Sequence, residues 1–423
     1  MTGANTINFK LQTLINQYEA THPLSKNHFE RAQKVLPAGS TRSVLVSRPF
    51  PLIVESADGT SFTTIDGVTF EDFVSDYSAA IYGHSHPVIR DAVQNALASG
   101  FSLGGITQKE AQLAEIVTER IPSIEKVRFC NSGTEANTFA LATAMAYTKR
   151  KKILVFENGY HGGTLSFGSK HETNPMNLPH DFIFAKYNDI PTTKALLSND
   201  LAAILVEPMQ AAGGMHPASR EFLAYLREVA TATGAVLIFD EVVTSRLHYH
   251  GLQGYWGIIP DMTTLGKYIG GGFPFGAFGG SSQIMDLFDS PDPSVALHHS
   301  GTFNNNIFTM SAAVAASNLI TEAELQRLNR MGDRFREQGI ELIRASGFPS
   351  MELTGYGSAV GIHFSGPDAA VLGDCFYFFL LAKRISVGRR GFVSMNLIHT
   401  EASVDRLLGA VKGFLDDITG VTA

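Results

Sequence analysis

Through the middle of this chain, short apolar runs alternate with longer amphipathic stretches, and the flanks follow a different rhythm. Between residues 126 and 280, Val127–Cys130, Ile153–Phe156, Ala203–Val206 and Ala235–Phe239 are largely apolar and read as strands. Glu135–Lys149 and Glu221–Ala232 read as helices between them, the second stopped by Gly234. Strands without a polar face need cover on both sides, which predicts an α/β fold around a largely parallel sheet. Upstream, residues 1–35 read as a polar amphipathic arm whose apolar points are Phe9, Leu11, Leu14 and Ile15. Leu52 to Asp76 reads as a meander with turns at Asp58-Gly59 and Asp66-Gly67. Thr107 to Ile121 reads as a helix opened by a Thr107/Glu110 capping box, with Leu113, Ile116, Val117 and Ile121 facing inward. A long helical stretch follows Phe308, and a mixed β/α segment runs from Met351 to the end. The division expected is a terminal segment 1–75, a large domain 76–310 and a small domain 311–423, the two flanks building one smaller domain together.

Composition narrows the function classes. The 423 residues hold 33 Lys and Arg against 40 Asp and Glu, a net charge of −7, where a nucleic-acid surface needs a basic excess. Cys130 and Cys375 are too few for a disulfide framework and suit a reducing compartment. Met1 to Glu19 lacks the basic and apolar regions of a secretory signal, and no run reaches the ~18 apolar residues of a membrane span. A soluble, cytoplasmic protein with neither nucleic-acid nor membrane partner is expected. Glycine stands out: 40 residues, where average usage of ~7% predicts about 30.

In an open α/β sheet, ligands gather at the carboxyl ends of the strands, and four signals fall there. Asn131-Ser132-Gly133-Thr134-Glu135 opens an Ala-rich helix with a Ser132/Glu135 capping box, an anion cradle or simply a well-capped helix. Glu157 to Gly163 sets the aromatic pair Tyr160-His161 between glycines, a cover for a flat ligand or an ordinary loop. Asp240 closes an apolar strand, where a carboxylate is costly unless it meets a cation or caps a turn. Lys267, between apolar residues and ahead of Gly270-Gly271-Gly272, reads as a desolvated amine nucleophile or a snorkelling surface lysine. Together, a phosphate cradle, a stacked ring, a buried acid and a Schiff-base lysine are what pyridoxal phosphate requires. No strand ends in the G-x-G-x-x-G of a dinucleotide-binding dehydrogenase.

The stretches NSGTEAN (Asn131–Asn137), GYHG (Gly159–Gly162), VEP (Val206–Pro208), FDEV (Phe239–Val242), LGKYIGGG (Leu265–Gly272) and GTF (Gly301–Phe303) resemble fold-type I, class III pyridoxal-phosphate aminotransferases, in the family's order. The resemblance implies a seven-stranded, mostly parallel sheet and a smaller α+β domain. It implies that Lys267 holds the cofactor, that Asp240 pairs with the pyridinium, and that Tyr160 and Val242 cover the two faces of the ring. Ser132, Gly133 and Thr134 would bind the phosphate, together with Thr302 of the partner subunit in a homodimer. Glu207 of the VEP stretch joins the cofactor set, pyridoxamine phosphate is the amino-carrying form, and no metal is implied.

Substrate choice turns on Pro37 to Val44. Glutamate-1-semialdehyde aminomutases carry a similar turn followed by Asn-Ser-Pro-Val-Arg, on which Arg42 falls at the small Ser and Leu45 at the Arg. Thr41-Arg42-Ser43-Val44, the Tyr82–Pro87 stretch and Gly301–Asn306 look more like β-phenylalanine aminotransferases. Arg42 would then grip a β-amino acid's carboxylate bidentately, with Tyr82 in the substrate set. Arg390 or Arg389 is the candidate for a second carboxylate, and either would equally serve as a strand-edge anchor. The reaction expected is ping-pong transfer from a β-amino acid to 2-oxoglutarate or pyruvate. An aminomutase, a transaminase for another amine or a D-amino acid, and a non-catalytic cofactor binder remain as alternatives.

Overall fold

The computed structural model describes residues 3–169 and 174–422. The chain forms two compact units, Pro87–Arg327 and a second built from Met1–His86 with Leu328–Ala423.

In the unit made of both flanks, β1 (Val54–Asp58), β2 (Ser61–Thr64) and β3 (Thr69–Asp72) form the antiparallel meander that the two Asp-Gly turns predict. The arm is two helices, Gly3–Thr21 and Pro23–Ala32. Leu11, Leu14 and Ile15 pack on a cluster of Tyr18, Phe29, Phe50, Phe62, Phe70 and Phe378. Phe9 departs from the expectation: it lies on the opposite face, 72% exposed.

The other unit is organised by seven strands. They are β4 (Lys126–Cys130), β5 (Lys152–Phe156), β6 (Asp181–Ala185), β7 (Leu201–Val206), β10 (Val236–Asp240), β11 (Met262–Gly266) and β12 (Gly276–Gly280). A two-stranded ribbon, β8 (Met209–Gln210) with β9 (His216–Pro217), stands apart. The order across the sheet is β4-β12-β11-β10-β7-β5-β6, parallel except that β12 is antiparallel to both its neighbours. The apolar runs are strands as predicted because both faces are covered: β7 and β10 are buried at every position. β6, β11 and β12 escape the periodicity reading. β11 carries Thr263 and Thr264, and β12 reads Gly-Ala-Phe-Gly-Gly, which looks like a loop. The glycine is required there, since a Cβ at Gly276 would collide with the Ser132 carbonyl.

Helices Gly133–Thr148 and Arg220–Thr233 lie where expected, the latter ending on Gly234 in the left-handed conformation. The Thr107/Glu110 capping box does not form. Thr107 is the N-cap of helix Gln108–Arg120, but its hydroxyl makes no cap bond, and the Glu110 carboxylate accepts instead from Asn305 Nδ2 at 3.0 Å. The C-terminal segment supplies β13 (Met351–Tyr356), β14 (Ala359–Phe364), β15 (Ile385–Ser386) and β16 (Phe392–Ser394) to the unit of the flanks. There β15 pairs in parallel with β3, which joins the N- and C-terminal segments into one sheet.

Candidate active site

Five strands deliver their predicted residues to one end of the sheet. After β4, Ser132 caps helix Gly133–Thr148, its hydroxyl accepting from Glu135 N at 3.1 Å. Only that half of the expected box forms, because the Glu135 carboxylate accepts from Asn131 N, one residue before the cap, at 2.8 Å. The Gly133 and Thr134 amides head this helix, where the first N–H groups have no carbonyl a turn earlier to bind, and the helix dipole adds positive potential. Val242, two residues beyond β10, packs where side chains of Gly133 and Gly266 would begin. A Cβ at those positions would stand 3.0 and 3.1 Å from its methyls. The turns after β4, β10 and β11 therefore converge on Val242.

Lys267 follows β11 directly and adopts φ +51°, a left-handed conformation that costs a non-glycine residue about 1–2 kcal/mol. Its neighbour Tyr268 is buried and pinned: its hydroxyl accepts from Arg120 Nη2 at 2.7 Å. Arg120 also donates to the carbonyls of Ser245 (2.8 Å) and Tyr249 (2.7 Å). The buried guanidinium thus ties the lysine turn to the segment after β10.

Asp240 ends β10 at 5% exposure. Its Oδ2 accepts from Asn137 Nδ2 and lies by His161 Nδ1, both at 2.8 Å, while Oδ1 accepts from Val242 N at 3.0 Å. Asn137 is itself fully used, donating also to the His161 carbonyl (3.1 Å) and accepting from Thr264 Oγ1 (2.7 Å). Glu207, just past β7, accepts from Tyr160 N (2.9 Å) and Ala211 N (3.1 Å). Burial raises its carboxyl to about 7, with the nearby Asp240 charge adding to the rise and His161 and the two amides opposing it. Glu241 faces away into a separate buried knot, accepting from Leu252 N, Gln253 N, Gln253 Nε2 and Thr244 Oγ1.

Tyr160 is the exposed member of this group, with 47% of its surface open while its backbone is fixed through Glu207. The turn beyond it needs glycine: Gly162 has φ +122°, and a Cβ there would collide with Thr134. Thr302 is exposed on a loop moored by Arg128, whose Nη2 and Nε donate to the carbonyl O and Nδ1 of His299, both at 3.0 Å. Asn131 Nδ2 donates to Asn304 Oδ1 at 3.0 Å on the same loop.

These residues fit pyridoxal phosphate. Among the described residues the His161 ring is the basic group that meets buried Asp240, no Lys or Arg does, and a pyridinium N–H is a further partner that such a carboxylate would take. The helix N-terminus suits a phosphate, Tyr160 offers an open ring, and Lys267 supplies the amine. Both His161 and Asn137 lie within quoted motifs, but sequence reasoning gave Asn137 no role and read His161 only as half of an aromatic cover, whereas the structure sets both on Asp240. The available signal was one polar residue on the inner face of an Ala-rich helix, a turn after Gly133.

The substrate candidates all lie in the unit of the flanks. Arg42 Nη1 meets Asp76 Oδ1 at 2.7 Å. Tyr77 donates its hydroxyl to the Val44 carbonyl (3.3 Å), and its ring stands 5.1 Å from that of Phe392, linking the Arg42 turn to the Arg390 turn. Burial raises the Tyr77 hydroxyl's pKa, opposed by the charges of Arg390 and Arg42. Arg389 is committed elsewhere, with Nε and Nη2 on the two oxygens of Asp374, both at 2.9 Å, and Nη1 on the Arg48 carbonyl at 2.8 Å. Tyr82 is buried, 3% exposed.

The class-III aminotransferase family model matches residues 44–373. The beta-phenylalanine transaminase of Variovorax paradoxus is 42% identical over 98% of this chain and 98% of its own. Its crystal structure superposes with a TM-score of 0.93, covering 97% of this chain and 98% of that one. A glutamate-1-semialdehyde 2,1-aminomutase of Lachnoclostridium phytofermentans is 35% identical, over 92% of this chain and 99% of its own. A transaminase solved with pyridoxal phosphate bound is 31% identical at a TM-score of 0.88, covering 94% of this chain and 98% of that one. With convergent strand ends and a model match over most of its length, this chain belongs to the class III aminotransferases, which are pyridoxal-phosphate-dependent enzymes.

Proposed function

We propose that this aminotransferase moves the amino group of a β-amino acid, aromatic ones such as β-phenylalanine included, to 2-oxoglutarate or pyruvate by a ping-pong mechanism. The observation that carries the substrate reading is the linkage of the Arg42 and Arg390 turns through Tyr77. Two arginines far apart in sequence are thereby available for carboxylates, and the full-length similarity to a beta-phenylalanine transaminase supports the choice. Each guanidinium offers a planar fork that fits a carboxylate bidentately.

When bound, pyridoxal phosphate supplies an electron-accepting ring that stabilises negative charge on the amino-bearing carbon. Lys267 would hold it covalently and carry a proton at Nζ. Asp240, oriented by Asn137 and His161, would pair with the ring nitrogen. Tyr160 and Val242 would bear on the ring, Ser132, Gly133 and Thr134 would hold the phosphate, and Glu207 fixes the Tyr160 backbone. The chain works as a homodimer in which Thr302 of the partner subunit completes the phosphate site. Exposed Phe101, Ile106 and Phe303 in the same unit as Thr302 support such an interface. The buried free thiols of Cys130 and Cys375 suit the cytoplasm.

The test is racemic β-phenylalanine with 2-oxoglutarate on the holoenzyme, following glutamate formation. Transfer is expected. Failure with every β-amino acid, alongside isomerisation of glutamate 1-semialdehyde without a keto acid, would favour an aminomutase and overturn the reading.

A further inference from the structure

We propose that Asp76 is a fixed counter-charge that tunes the carboxylate-binding arginines toward monocarboxylates over dicarboxylates. The inference rests on the carboxylate roles assigned above to Arg42 and Arg390.

Asp76 touches Arg42 through a single Nη1–Oδ1 contact of 2.7 Å, with the two side chains 47% and 51% exposed. Among the described residues, the guanidinium's Nε and Nη2 meet no acceptor, so its bidentate edge stays open. The aspartate is placed by its backbone rather than by this pairing. Ser75, Asp76, Tyr77 and Ser78 have φ of +47°, +45°, +52° and +75°, a left-handed turn made without glycine. Such a turn persists only where its surroundings impose it, and here they do so from both sides. The Asp72 carboxylate accepts from Val74 N (2.8 Å) and Ser75 N (3.2 Å). Ser75 Oγ donates to the Ser394 carbonyl (2.9 Å) and accepts from Asn396 Nδ2 (3.1 Å). The turn therefore carries Asp76 to Arg42 and Tyr77 between the two arginine turns as one rigid piece.

Charge counting then gives the selectivity. Arg42 and Asp76 cancel. Arg390, in the tight turn closed by Gly391 N on the Gly388 carbonyl at 2.7 Å, makes no ion pair among the described residues. Of Arg42, Asp76 and Arg390, Arg390 is thus the one charge without an opposite charge in contact among the described residues, which one carboxylate satisfies. A dicarboxylate brings a second negative charge up to Asp76 and must share Arg42 with it.

The test compares the holoenzyme with Asp76→Asn, Asp76→Glu, Arg42→Gln and Arg390→Gln. Competitive inhibition constants for butyrate and glutarate serve as mono- and dicarboxylate probes, alongside KM and kcat for the keto acid. Asn tolerates positive φ, so Asp76→Asn keeps the turn while removing the charge. Glutarate should tighten about fivefold relative to butyrate in Asp76→Asn, the size expected of one exposed charge pair. The shift should fall on Ki and KM rather than kcat, and Asp76→Glu should restore the ratio. An unchanged ratio in Asp76→Asn, or a loss confined to kcat, overturns the inference. If neither arginine variant weakens either probe, the carboxylate reading itself fails and this inference falls with it.

Discussion

Two aspartates mark two ways of using a charge in this molecule. Asp240 is buried at the end of a core strand, its carboxylate held by Asn137, His161 and the Val242 amide. Asp76 stands half-exposed on a left-handed turn and meets one guanidinium donor. Burial makes an unpaired charge costly and a paired one hard to exchange, whereas an exposed pair is worth about 0–1 kcal/mol and opens readily. The first arrangement suits a group that stays through every cycle. The second suits ligands that exchange, which is the role proposed for Arg42.

The largest effect that would break this contrast lies at Lys267. Lys267→Ala should lower kcat by more than about 10³-fold, since positioned proton transfer alone contributes about 10²–10⁴. It should also remove the borohydride-reducible absorbance of the yellow holoenzyme. A variant that keeps turnover would remove the lysine from the chemistry. Next comes Arg390→Gln, expected to raise KM for the carboxylate it binds by about tenfold or more, because charge-assisted hydrogen bonds contribute about 1.5–3 kcal/mol. Steady-state kinetics with kcat nearly intact would place the residue in binding, and an unchanged KM would exclude it.

How much of this was legible beforehand depended on the kind of signal. β5, β7 and β10 were readable because a strand buried on both faces must be a continuous apolar run. β12 was not, because its glycines serve a close approach to the Ser132 backbone that only the folded sheet creates. The placement of Lys267, Asp240 and the Ser132–Thr134 turn at strand ends was legible through motifs. Asn137 and His161 sat inside those motifs, but their meeting at Asp240 is a long-range contact that no local pattern encodes. The Thr107 cap failed for the opposite reason: local spacing predicted a bond, and tertiary structure gave Glu110 to Asn305 instead. Arg389 and Arg390 are adjacent and alike in sequence, and no local pattern shows that Arg389 alone meets Asp374 and the Arg48 carbonyl.

A middle-sized effect sharpens the comparison through pH. Glu207 titrates near neutrality in the folded protein, chiefly because it is buried, against an ordinary value of 4.5. Between about pH 4.5 and 7 the unfolded chain has lost this proton while the folded one keeps it. The folded state therefore binds more protons there, and this group's contribution to stability falls as pH rises through that window, levelling off above it. Glu207→Gln removes the titration, so its Tm should decline less than that of the parent protein between pH 5 and 7.5. Parallel Tm profiles would show that Glu207 is ionised throughout.

The smallest effect separates two neighbouring arginines. Arg389 spends its guanidinium on Asp374 and the Arg48 carbonyl, with Tyr377 and Phe378 rings 5.8 and 5.7 Å from its Cζ. Its neighbour makes no ion pair among the described residues. Arg389→Gln should therefore cost about 1 kcal/mol of stability, near the upper end for a bidentate, partly exposed pair, and leave the KM for both substrates within about twofold. Thermal unfolding and steady-state kinetics on the same preparations of Arg389→Gln and Arg390→Gln would read the two effects side by side. The contrast holds if one variant moves Tm and the other moves KM. If Arg389→Gln raises KM as strongly as Arg390→Gln does, the pairing with Asp374 is exchangeable, and Arg389 belongs with Arg42 among the groups that substrates compete for.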